Sequence, residues 1–136
     1  MKEMIYGPSR PLEVLCRGVY KGLEYGVISG GTHPCCYVEC TDLLLDRINE
    51  QKGEFASSME YDKANKFADV HGGFSFFGPH HLLDPEKNWL GWDYAHFGDY
   101  VASYGDAGWR KWTSQELVDH CKKCIDQLVV FSFSKK

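Results

Sequence analysis

Thr113-Ser114-Gln115-Glu116 reads as a capping box. The Thr113 hydroxyl can accept from the amide of Glu116 while the Glu116 carboxylate reaches back to the amide of Thr113, so two donors that a helix start would orphan are both satisfied. Trp112 before the cap and Leu117 after it make a hydrophobic staple. Leu117, Val118, Cys121, Ile125 and Leu128 then recur at helical spacing and predict a stripe that faces a core. Val129–Phe133, beyond the stripe, is apolar and fits either an added strand or a contact between copies. A helix with one apolar face must lie on another layer, and the preceding residues supply that layer as strands.

Leu12–Ser29 predicts a hairpin, with Val14, Cys16, Leu23, Tyr25 and Val27 alternating about a Lys21-Gly22 turn. Gly30-Gly31 ends it, Thr32-His33-Pro34 forms a loop, and Cys36–Cys40 predicts a short strand. Thr41 caps a second helix over Asp42–Gln51, whose stripe is Leu44, Leu45 and Ile48. Lys52–Asp69 reads as an irregular surface excursion. Val70–Phe77 is strand-like but interrupted by Gly72-Gly73, Gly78–Asn88 is a loop, and Tyr100–Gly108 is another. Trp89–Tyr94 predicts a strand with Trp89, Gly91 and Asp93 on one face and Leu90, Trp92 and Tyr94 on the other. No repeat or linker divides the chain. The expected architecture is α+β: one domain over residues 1–136, a mainly antiparallel sheet packed by the C-terminal helix and a shorter second helix.

Composition narrows the function classes. A chain of 136 residues that is 43% hydrophobic can build a core without covalent staples. Its net charge of −4 lacks the basic excess of a duplex nucleic-acid binder, though a small anionic ligand needs only local cations. Met1–Val14 carries no apolar signal region, and no apolar run approaches the ~20 residues of a bilayer span. An intracellular, soluble setting is therefore expected, in which Cys16, Cys35, Cys36, Cys40, Cys121 and Cys124 stay reduced. Cys121-x-x-Cys124 has the spacing of a redox pair or half a zinc site, but it sits within a helix and reads better as buried free thiols.

The stretch His71–Asp99 concentrates the chemistry-bearing residues. Glycines after His71 either shape a β-bulge around a core histidine or let backbone amides approach an anion or ring. Asp93, His96 and Asp99 are three apart, and with His71 they have the residue types of a hard-metal or hydrolase site. Their spacing matches no tight metal signature, which favours carboxylates that tie up loop amides or touch a ligand. Trp109-Arg110-Lys111-Trp112 sets two cations between two indoles just before a helix, where Arg can stack on a base and pair with phosphate. There is no Walker loop, nucleophile elbow or dinucleotide fingerprint.

Four pieces stand out together: Gly31-Thr32-His33-Pro34-Cys35 with Tyr37-Val38; Val70-His71-Gly72-Gly73-Phe74-Ser75; Trp89 through Tyr100; and Lys111-Trp112-Thr113 leading into the last helix. In these the chain resembles the first family of phage Thoeris anti-defence proteins. The resemblance spans residues 17–128, and Lys52–Asp69 has no counterpart in it. It implies a sponge that binds the cyclic ADP-ribose signal of bacterial TIR-domain immune proteins without cleaving it, in the cytoplasm of the infected host. It also implies cyclic oligonucleotides at a separate site in some members, and homodimers or homohexamers whose pockets draw on two protomers. No cofactor, metal or catalytic residue is implied. The family's aromatic, Asn and Arg are placed at Phe77, Asn88 and Arg110. Chemically, Phe76, Phe77 or Trp92 can stack a base, Arg110 and Lys111 can neutralise phosphate, Asn88 and Asp93 can bond ribose or base edges, and His71 adjoins them.

A sponge needs affinity alone. A nanomolar constant corresponds to about −12 kcal/mol, of which one stacked base supplies ~1–3 kcal/mol. Two other classes are expected to be distinguishable from it. One is a metal-dependent nucleotide phosphodiesterase using His71, Asp93, His96 and Asp99; the other is a module that inhibits a host protein directly.

Overall fold

The structure is a computed structural model that describes residues 1–50, 59–102 and 109–133. Five antiparallel strands form one sheet, β1 (Glu13–Tyr20), β2 (Leu23–Ser29), β3 (Pro34–Cys40), β4 (Phe76–Gly78) and β5 (Asn88–Asp93), in the order β1-β2-β3-β5-β4. Helices α1 (Asp42–Asn49), α2 (Glu60–Ala64) and α3 (Ser114–Phe133) complete the α+β domain. None of the described helices is long and apolar enough to cross a membrane.

The first hairpin turns as its sequence dictates. Lys21 and Gly22 both take positive φ, 50° and 81°, which is the two-residue turn whose twist matches the flanking strands. β5 inserts beside β3, pairing Cys36 with Trp92 and Val38 with Leu90. Alternation then sorts the two sheet faces. Cys36, Val38, Leu90, Trp92 and Tyr94 join the main core with the α3 stripe Leu117, Val118, Cys121, Ile125 and Leu128. Trp89 falls on the other face with Ile28 and Leu83, roofed by the loop before β5. There a Cβ on Gly91 would stand 2.7 Å from the Tyr37 ring, so only glycine admits that ring. Burial raises the pKa of the Cys35 and Cys40 thiols to about 12 and also pushes those of Cys36 and Cys124 well up, leaving neutral thiols that pack as small apolar groups.

The capping box is in place: the Glu116 amide donates to the Thr113 hydroxyl at 3.2 Å and the Thr113 amide to the Glu116 carboxylate at 3.0 Å. Thr113→Ala is expected to lower unfolding free energy by about 1 kcal/mol, read from urea denaturation, and an unchanged midpoint would remove the cap from the account. The N-terminal segment braces the same corner. The Ser114 hydroxyl donates to the Lys2 carbonyl at 2.6 Å, and the Trp112 amide donates to the Tyr6 hydroxyl at 2.9 Å.

Several boundaries differ from the sequence reading. The helix expected over Asp42–Gln51 ends at Asn49, and Gln51 lies outside the described residues. Of the excursion Lys52–Asp69, residues 52–58 lie outside them too; the rest carries α2, because Ala64 and Ala68, one helical turn apart, are buried and Phe67 stacks on Phe131 at 3.5 Å. Val70–Phe77 is not one strand. Gly72 and Gly73 take successive positive φ, the Gly73 amide closes a turn on the Val70 carbonyl, and pairing begins only at Phe76. Val129–Phe133 is not an added strand, since α3 continues through Phe133. Of the expected Tyr100–Gly108 loop, residues 103–108 lie outside the described residues.

Candidate functional site

Asp99 organises the corner where the end of β5 meets the start of α3. Its side chain is 2% exposed and saturated with donors. The Trp112 indole N–H donates to Oδ1 at 2.8 Å, the His71 Nε2–H to Oδ2 at 2.6 Å, and the His96 amide to Oδ2 at 3.0 Å. Burial pushes the Asp99 carboxyl up, but the bonds from Trp112, His71 and His96 outweigh it and hold the group below its ordinary value. Asp93 does similar work one turn earlier, accepting from the Ala95 amide at 3.1 Å and lying 3.3 Å from His96 Nε2. Gly72 explains the double glycine: a Cβ there would collide with the His96 imidazole, and its φ of 72° already favours glycine.

His71 lies flat on Tyr94, with ring centroids 4.7 Å apart and planes 10° apart. Beneath it the Trp92 indole N–H donates to the Tyr94 oxygen at 3.0 Å, and the Tyr94 hydroxyl bonds Nδ1 of His120 at 2.6 Å, a contact that either neutral tautomer of His120 makes. Burial, followed by the charge of His71, depresses the His120 pKa and favours the neutral ring. The rings of His71 and His120 line a cleft of about 240 Å³ between α3 and the 69–71 segment, with Asp69, Val70, Trp92 and Lys123.

On the other flank of Trp112, the Arg110 guanidinium lies 3.7 Å above the indole ring and pairs with Glu116. Backbone bonds fix it: the Arg110 amide donates to the Gly98 carbonyl at 2.9 Å, and the Tyr100 amide to the Arg110 carbonyl at 2.8 Å. Lys111 stands 4.5 Å above the Tyr100 ring. Phe97 is 95% exposed with its ring 5.7 Å from that of Trp109. Two rings and two cations thus crowd one rim of the domain.

Some expected site residues gather here and others do not. His71, Asp93, Arg110 and Lys111 belong to this corner. Trp92 is buried in the core and its N–H is committed to Tyr94, so stacking a base on it is not available without rearrangement. Phe76 packs edge-on against Tyr37 on the loop-covered face, whereas Phe77 packs against the main core. Asn88 opens β5 beside a polar hollow lined by Glu39, Thr41 and Lys87. Asn88 and Asp93 are the two ends of this six-residue strand, roughly 17 Å of chain apart, so Asn88 lies at the opposite end of β5 from the corner that holds Asp93. Among the described residues, no three His, Cys, Asp or Glu side chains are grouped to hold a metal ion. Sequence reasoning passed over Asp69, Phe97, His120 and Lys123. His120 and Lys123 were accessible, being one helical turn apart and flanking the core positions Cys121 and Cys124.

Comparison with protein-family models, with curated proteins and with solved structures finds no match to this chain.

Proposed function

We propose that this protein is a phage anti-defence sponge that sequesters cyclic ADP-ribose-type signals of TIR-domain immune proteins without cleaving them. The observation that carries this reading is the rim where exposed Phe97 packs on half-buried Trp109, next in the chain to Arg110 and Lys111. Rings accept an adenine face, and cations beside them accept a pyrophosphate. The sequence resemblance adds the ligand class.

Storage without turnover fits the state of the polar groups. Both oxygens of Asp99 are occupied by framework donors, so Asp99 serves the frame rather than standing poised as a base. The placement of Phe77 and Asn88 away from Arg110 supports a pocket completed by a second protomer, in a homodimer or a homohexamer. Cyclic oligonucleotides would occupy a separate surface.

The test is to mix purified protein with a cyclic ADP-ribose, remove free nucleotide, and denature the complex by heat. Intact cyclic nucleotide in the released fraction, at one per pocket, is the expected result. Recovery of linear ADP-ribose, or no retention at all, overturns the proposal.

A further inference from the structure

The cleft beside α3 holds a set of polar groups that the fold itself does not consume. His71 spends Nε2 on Asp99, and His120 spends Nδ1 on Tyr94. Nδ1 of His71 and Nε2 of His120 have no hydrogen-bond partner among the described residues, and both rings line the cleft. The Asp69 carboxylate and the Lys123 ammonium also line it, and neither has an ion-pair or hydrogen-bond partner among the described residues. Four polar groups that the framework does not use thus face one hollow.

Their chemistry selects a ligand class. Lys123 donates, and Nε2 of His120 donates in the tautomer whose Nδ1 accepts from Tyr94, so together they call for oxygens that carry negative charge. The Asp69 carboxylate only accepts, so it repels a bare polyanion and calls for hydroxyl donors. Nδ1 of His71, whose Nε2 is committed to Asp99, is left to meet a hydroxyl. A ligand that satisfies all four must present an anionic group at one end and hydroxyls at the other. The volume, about 240 Å³, falls below the roughly 300–1,000 Å³ of pockets for drug-sized molecules, so the occupant is small. Asp99 and Tyr94 act as positioning residues, since each holds one histidine ring by a hydrogen bond.

We infer that the cleft lined by Asp69, His71, His120 and Lys123 is a binding site for a phosphorylated sugar, with phosphate on Lys123 and His120 and ring hydroxyls on Asp69 and His71. It is separate from the ring-and-cation rim, from which Trp112 divides it: Arg110 lies over that indole, while His71 and His120 approach it at 5.3 and 5.0 Å. The inference does not rest on the sponge reading.

The experiment is a titration of the full chain with ribose 5-phosphate, followed through the imidazole nitrogen resonances of His71 and His120. Ribose alone and inorganic phosphate alone are the comparison arms. Ribose 5-phosphate is expected to shift both rings and to bind at least ten-fold more tightly than either fragment. Lys123→Ala and Asp69→Asn are each expected to weaken it ten-fold or more at unchanged melting temperature, because neither side chain holds the fold. No imidazole shift at millimolar ligand, inorganic phosphate binding as well as the sugar phosphate, or full affinity in Lys123→Ala would each overturn the assignment. Cyclic ADP-ribose is titrated separately: its failure to bind while ribose 5-phosphate still shifts both histidines sinks the sponge reading and leaves this site standing.

Discussion

Asp99→Ala is expected to cost about 3–5 kcal/mol of folding stability, the range for removing one partner from a buried charge network. The magnitude follows from what is left behind. Deleting the carboxylate strands the indole N–H of Trp112, the Nε2–H of His71 and the amide of His96, and each unsatisfied buried donor costs about 1–3 kcal/mol. Relaxation of the half-buried His71 towards solvent recovers part of that sum. For a domain of this size the loss corresponds to a fall in melting temperature of roughly 10–20 °C. Asp99→Asn should lose less, because its amide oxygen still accepts from Trp112 or His96. A melting temperature for Asp99→Ala equal to that of the parent protein would contradict the role assigned here.

The acid limb supplies an independent reading of the same residue. The folded-state pKa of Asp99 lies below its ordinary value, which is about 3.9 in an unfolded chain. The stability it contributes is therefore fully present above the unfolded pKa and is lost as pH falls through the folded one. The stability gap between the parent and Asp99→Asn should close as pH falls below about 4. A gap that instead widened below about pH 4 would mean that Asp99 is not ionised in the fold.

Much of this corner was legible in the sequence, and the physical reasons are local. The Thr113 capping box, the Lys21-Gly22 turn and the alternation of Trp89–Tyr94 each encode their geometry within a few residues, and each appears as expected. Asp93, His96 and Asp99 were expected as either a frame or a metal set, and their bonds to the Ala95 and His96 amides and to Trp112 make a frame. What the sequence did not reveal depends on long-range contact. Phe76 and Phe77 are adjacent, so period-two geometry places them on opposite faces of the sheet, and no local signal says which face is roofed. Trp92 looked like a stacking platform because nothing local shows that Tyr94 and α3 bury it. The cleft itself needs Asp69 and His71 from one segment and His120 and Lys123 from a helix some fifty residues on, a juxtaposition that only the packed fold creates.

Arg110→Glu is expected to weaken binding of a cyclic ADP-ribose by 100-fold or more, with little change in the fold. Losing a charge-assisted bond to phosphate removes about 1.5–3 kcal/mol, and the introduced carboxylate repels the pyrophosphate in addition. Each 1.4 kcal/mol is a factor of ten in affinity, so the two effects together pass 100-fold. The folded state has little to lose. The Arg110 side chain is more than half exposed, and an exposed ion pair such as that with Glu116 contributes about 0–1 kcal/mol. Glu116 keeps the start of α3 through Thr113 whatever stands at position 110, and the backbone bonds to Gly98 and Tyr100 do not depend on the side chain. Arg110→Gln separates the contributions: it removes the charge without reversing it, and an intermediate loss near ten-fold is expected. Ionic strength adds a second signature, since the parent protein's affinity should fall from 50 to 300 mM salt more steeply than that of Arg110→Gln. Unchanged affinity of Arg110→Glu by calorimetry would take Arg110 out of the site and, with it, the cation on which the rim's reading as a nucleotide surface chiefly depends.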